Sequence, residues 1–136
     1  VKNETDTLSI LSTIAENYSL NLIILFGSQA TGKTNSESDW DIAVKGAHIL
    51  SLDQRLDMIG EFEKIYPNID LVDIRRADPL LLACIALEGK SLFESDPLQF
   101  EEFKLFARVQ YIDARPLLDR VLKSNKEFAD SLKDPS

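Results

Sequence analysis

The chain has 136 residues, 44% of them hydrophobic and 28% charged, with a formal net charge of −8 and a single cysteine. That length suits one domain with a core of its own. The acidic balance gives no long-range pull on DNA or RNA, Cys84 alone excludes an internal disulfide and a cysteine-based zinc cluster, and no apolar run approaches the ~20 residues of a membrane helix. The polar start Val1-Lys2-Asn3-Glu4 lacks a signal-peptide core, so the expected location is the cytoplasm. The charge also favours a protein or small-molecule acceptor over a long nucleic acid, and a basic protein partner.

In chain order, residues 5–18 read as a helix: Thr5, Asp6 and Thr7 are candidate N-caps, and Leu8, Leu11, Ile14, Ala15 and Tyr18 recur on one face. Leu22–Phe26 is an apolar run short enough for a buried strand. Residues 27–38, rich in Gly, Ser, Thr and Asn, read as a loop with room for one helical turn, and Gly32 supplies a turn. Trp40–Val44 is the second strand. Ser51-x-x-Gln54 is a capping-box pattern opening a helix with Leu52, Leu56, Ile59, Phe62 and Tyr66 inward, closed at Pro67. Ile69–Ile74 is the third strand. Asp78-Pro79 caps a short helix, Leu80–Leu87, which ends at Gly89 as a C′ residue; Cys84 inside it is expected to be a buried structural thiol. Ser91-Leu92-Phe93 is a fourth strand. Phe100, Phe103, Phe106, Ala107, Val109, Tyr111 and Ile112 then cover much of one helix, which Pro116 is expected to kink or break before Leu117, Leu118, Val121 and Leu122 resume helical spacing. The order predicts a small α/β domain, residues 1–95, with a C-terminal helical extension, residues 96–136, packed on the core, contacting a partner, or both.

The chemistry concentrates in Gly27-Ser28, ten residues, then Asp39-Trp40-Asp41. Two carboxylates spaced i, i+2 on a strand share a face while Trp40 and Ile42 point to the core. Such close like charges repel, and Asp is disfavoured in strands, so bland edge-strand acids fit poorly. A divalent cation removes the conflict, and hard oxygen ligands suit Mg²⁺. Gly-Ser at a strand end offers a turn, a free N–H and a hydroxyl, the groups that hold a phosphate. A two-metal site recruits a third carboxylate, and Ile69-Asp70-Leu71-Val72-Asp73 offers two facing opposite ways, Asp70 or Asp73. His48, the lone histidine, sits in a connection and builds no triad.

Gly27-Ser28-x10-Asp39-x-Asp41 resembles the signature of the DNA polymerase β-like nucleotidyltransferases, and Leu25–Val44 in so short a chain looks most like the minimal nucleotidyltransferases, many of them antitoxins paired with a HEPN-domain toxin. The resemblance runs more loosely through Ile69–Arg76 and Gly89–Glu94. It implies a small mixed β-sheet flanked by helices, and two Mg²⁺ ions on Asp39, Asp41 and a third Asp. The family pattern of an apolar residue followed by Asp-Leu-Val matches Ile69-Asp70-Leu71-Val72 and so selects Asp70, with Asp73 the alternative. It implies Gly27 and Ser28 at the β- and γ-phosphates of ATP. Many relatives carry Arg directly after Gly-Ser, and some carry another two residues on. Here those positions are Gln29 and Thr31, which weakens the grip on the triphosphate and leaves Lys33 as a candidate replacement. Arg75 and Arg76 are further candidates to reach phosphate or an acidic partner. The implied activity is transfer of AMP from ATP to a tyrosine of a cognate HEPN RNase toxin, silencing it, with no direct nucleic-acid or membrane contact. Two rivals stand beside it. One is an antitoxin that only binds and masks. The other is a small-molecule nucleotidyltransferase of the aminoglycoside-modifying kind, which generally carries a larger acceptor-binding part than residues 96–136 supply.

Overall fold

The computed structural model describes residues 4–32 and 39–133. Its centre is the strand β1, Leu20–Phe26, which pairs antiparallel with β2, Trp40–Gly46, on one side and with β4, Lys90–Glu94, on the other. The strand β3, Ile69–Asp73, lies parallel to β2, giving the order β3-β2-β1-β4. A strand paired on both edges and covered on both faces reads as an unbroken apolar run. Ile23 and Leu25 of β1 join a core with Leu11 and Ile14 of helix α1, Glu4–Tyr18, and with Met58 and Phe62 of helix α3, Leu52–Phe62. Leu22, Ile24 and Phe26 join a second core with Leu82 and Ile85 of helix α4, Pro79–Glu88, and with Phe103 and Ala107 of helix α5, Gln99–Lys133. Each face of the mixed sheet thus carries a helical layer, as expected for the α/β class.

Local signals set the helix starts. Ser51 accepts from the Gln54 N–H at 3.1 Å while Gln54 Oε1 accepts from the Ser51 N–H at 2.9 Å, a complete capping box. Asp78 caps α4 by accepting from the Leu81 N–H at 2.8 Å, with Pro79 at the first helical position.

Other expectations fail for reasons of packing. Leu8 is exposed because α1 buries Leu11, Ile14 and Ala15 instead, and Leu52 and Leu56 are exposed because α3 turns Met58 and Phe62 inward, with Ile65 and Tyr66 buried just after it. The helix closes at Phe62, before Pro67. Cys84 is exposed: α4 is apolar all round, and only its Leu82–Ile85 side meets the sheet. Gly89 has an ordinary φ of −72°, so it is no left-handed cap. A side chain there would run into the Ile85 carbonyl and lie 2.6 Å from Ile24 Cγ2, so the close approach of α4 to β1 requires glycine. The helix α5 does not break at Pro116 but continues to Lys133. Proline removes one intrahelical bond, and because Pro116 is exposed the helix tolerates the loss without burying the freed carbonyl.

Candidate active site

The site forms where β1 ends and β2 and β3 begin. Phe26 registers with Asp41, and the chain then turns at Gly27 with φ +72°. A Cβ at this position would collide with the Asp41 carboxyl, so only glycine lets the turn pass so close. Ser28 opens a single helical turn, α2, Ser28–Thr31, in which the Ala30 and Thr31 N–H groups both donate to the Gly27 carbonyl at 3.1 Å. Gly32 closes it in the left-handed conformation, φ 80°.

Asp39 is exposed on the lead-in to β2. Next to it, Trp40 stacks on Tyr66 with ring centroids 4.4 Å apart, and its N–H donates to the Asn68 carbonyl at 3.0 Å. This packing anchors the residue between the two acids. The parallel register then sets Asp41 directly beside Asp70. Burial first, then the charge and side-chain proximity of Asp70, with smaller contributions from Asp39 and Glu88, raise the Asp41 pKa to about 6. Glu88, the last residue of α4, escaped the sequence reading. Only the antiparallel docking of β4 on β1, with Lys90 opposite Leu25, carries it towards Asp41.

Asp73 lies elsewhere. It is 3% exposed, caps the 3₁₀ turn Ile74–Arg76, and accepts from the Leu50 N–H at 2.9 Å and the Arg75 N–H at 3.0 Å. Arg75 Nε donates to the Gly46 carbonyl at 2.7 Å, and Arg76 Nη2 to the Leu50 carbonyl at 3.3 Å. Both guanidiniums are thus engaged at the far end of β2 and β3, about 10 Å along the strand from Asp70, and are not aimed at a phosphate beside Asp41. His48 is exposed. Lys33 lies outside the described residues.

Among the described residues no three ligating side chains are assembled as a ready metal cluster. What is assembled is the Asp41–Asp70 pair, with Asp39 flanking it. A half-buried Asp41, raised to a pKa of about 6 beside the exposed Asp70, marks negative charge without a counterion, and a divalent cation with a preference for oxygen supplies one. The donor set fits Mg²⁺. With the Gly27-Ser28 turn alongside, the site suits a reaction on a phosphate ester.

The polymerase β nucleotidyltransferase family model matches residues 9–98, and the chain belongs to that family. Within it, the chain is similar to the protein adenylyltransferase MntA of Aphanizomenon flos-aquae, 32% identical over 120 residues that cover 80% of this chain and 71% of the relative. It is 36% identical over 75 residues to the protein adenylyltransferase MntA of Shewanella oneidensis, 54% of each chain. Among solved structures, one chain of a toxin–antitoxin complex with AMP-PNP superposes with a TM-score of 0.68 at 25% identity, over 85% of this chain and 98% of that one. No helix among the described residues is long and apolar enough to cross a membrane.

Proposed function

We propose that this chain is a protein adenylyltransferase antitoxin that transfers AMP from ATP to a tyrosine hydroxyl of a cognate HEPN RNase toxin and so neutralises it. The observation that carries the reading is the Asp41–Asp70 pair in register beside the Gly27 turn. The relatives named protein adenylyltransferase and the toxin–antitoxin structure with an ATP analogue support the donor and the partner.

Gly27 admits the triphosphate without a Cβ in the way, and the Ser28 hydroxyl and N–H hold its β- and γ-phosphates. Asp39, Asp41 and Asp70 would hold two Mg²⁺ ions, which would supply positive charge to offset the triphosphate and the departing pyrophosphate. Asp70 orients the acceptor tyrosine and takes its proton. The tyrosine oxygen bonds to the α-phosphorus in line as the bond to the β-phosphate bridge breaks, and pyrophosphate leaves. The chain contributes position and charge more than covalent chemistry. An ATP donor places the reaction in the cytoplasm.

Intact-mass spectrometry of the toxin encoded beside this chain tests the reading, after incubation with this protein, ATP and Mg²⁺. A gain equal to one AMP residue per acceptor, absent with Asp39→Ala, is expected. No gain, with wild-type and Asp39→Ala protein binding the toxin equally, would replace transfer by masking.

A further inference from the structure

The face of β2 that carries Asp41 at one end carries Lys45 at the other: four residues apart, the two share a side of the strand about 13 Å from each other. Every charge that raises the Asp41 pKa is an acid. Lys45, by contrast, lines a cavity of about 370 Å³ in which no lining residue is acidic. Arg75 lines it too. The rest is mainly apolar, with Ile74, Leu82 and Phe103 from the buried core and Ile49 and Phe106 half exposed to solvent.

The two cations have no counterion. Lys64, Arg76, Lys104 and Arg115 each meet a carboxylate three or four residues away. Lys45 and Arg75 pair with no acid among the described residues. Arg75 Nε donates to the Gly46 carbonyl at 2.7 Å, which fixes the guanidinium and leaves its two terminal nitrogens without an acceptor among those residues. The larger groove between α4 and α5 differs, because Glu88 lines it beside Lys104 and Arg108, and Lys104 is bonded to Glu101.

These features select the ligand. A small anion with no apolar part is repelled by a chain of net charge −8 and gains little from two solvated cations. An uncharged apolar molecule would cover Lys45 and Arg75 and leave them desolvated without a partner. A single anionic group on an apolar body meets both demands, and the volume lies in the range of small-molecule sites. We propose that this cavity is a second binding site, remote from Asp41, for a small amphipathic carboxylate: the carboxylate meets Lys45 and the Arg75 terminal nitrogens, and the apolar body lies against Ile74, Phe103 and Phe106.

The test is a methyl NMR titration of the full chain with 4-phenylbutyrate, which has about a dozen non-hydrogen atoms and a ring to pack on Phe106. The Ile49, Ile74 and Leu82 methyl signals should shift, with a dissociation constant of about 0.1 mM. Acetate, the head group alone, and 4-phenylbutylamine, the same body with the opposite charge, should not shift them. Lys45→Gln and Phe106→Ala should each bind about 10-fold more weakly at an unchanged melting temperature, whereas Asp41→Asn should bind as the wild type does. Equal binding of the amine, or wild-type affinity in Lys45→Gln, would reduce the cavity to a general apolar surface and overturn the site. Displacement of the probe by ATP with Mg²⁺ would place it in the catalytic centre and overturn the site as a separate one. Displacement by the toxin would make a protein segment the occupant and overturn the small molecule.

Discussion

The two ends of β3 use the same residue types to opposite effect. At one end Asp73 is buried, yet both of its oxygens are bonded, to the Leu50 and Arg75 N–H groups, and Arg76 Nε stands 4.0 Å away. At the other end Asp70 lies beside Asp41 in the register, and the other charges that raise the Asp41 pKa, Asp39 and Glu88, are also negative. The sequence Ile69-Asp70-Leu71-Val72-Asp73 gives both acids similar neighbours. What separates them is that Asp73 is buried and bonded by the fold, whereas Asp70 is exposed beside the half-buried Asp41 with no cation among the charges that act on it. A folded chain satisfies its buried acids. Acids that face one another at an open edge leave room for a ligand to supply the counterion, and such sites are functional candidates.

The sharpest way to break this comparison is to remove each acid in turn. Asp70→Ala, like Asp39→Ala or Asp41→Ala, should cost about 10²–10³ in the rate of AMP transfer, by analogy with losing one group that stabilises transition-state charge, and leave the urea midpoint at or above that of the wild type. Asp73→Ala should do the reverse. It orphans two N–H donors, one of them in the buried bond with Leu50, and should destabilise by about 2–3 kcal/mol, with transfer preserved in the folded fraction. Single-turnover mass spectrometry beside urea titration separates the two, and the opposite ranking would move the site to Asp73.

Next in size is Gly27→Ala. At φ +72° the methyl group is strained and meets the Asp41 carboxyl. A loss of about 1–2 kcal/mol is expected, together with loss of transfer; an active, fully stable Gly27→Ala protein would show that the turn can move off Asp41 without cost.

The smallest effect sharpens the comparison through pH. Asp41 titrates at about 6 in the fold against 3.8 for the ordinary carboxyl, so the folded state binds more protons between those values. Its contribution to stability is therefore fully present below about pH 4 and is lost as pH rises through 6. Removing the charge with Asp41→Asn should stabilise the metal-free protein by about 1 kcal/mol at pH 7, after discounting for solvent around this half-exposed group, and by nothing at pH 4. Thermal melts at the two pH values check the sign; equal effects at both would show that Asp41 is already compensated.

Much of this molecule is written in short-range terms. The capping box at Ser51, the Asp78-Pro79 start and the two-sided apolar run of β1 involve residues within a few positions of one another, so the sequence alone suffices for them. The Gly27-Ser28 and Asp39-x-Asp41 spacing likewise exposes the class of chemistry, because glycine beside a turn and paired acids on a strand have few other uses. Neighbours distant in sequence decided the rest. The parallel register of β2 and β3 put Asp70, not Asp73, beside Asp41, and the docking of β4 on β1 brought Glu88 towards it. The pitch of α3 against the sheet chose Met58 over Leu52 and Leu56, and the seat of α4 left Cys84 outside. Periodicity shows that a helix has an apolar side, but when apolar residues exceed one stripe, only the surface it meets determines which of them is buried.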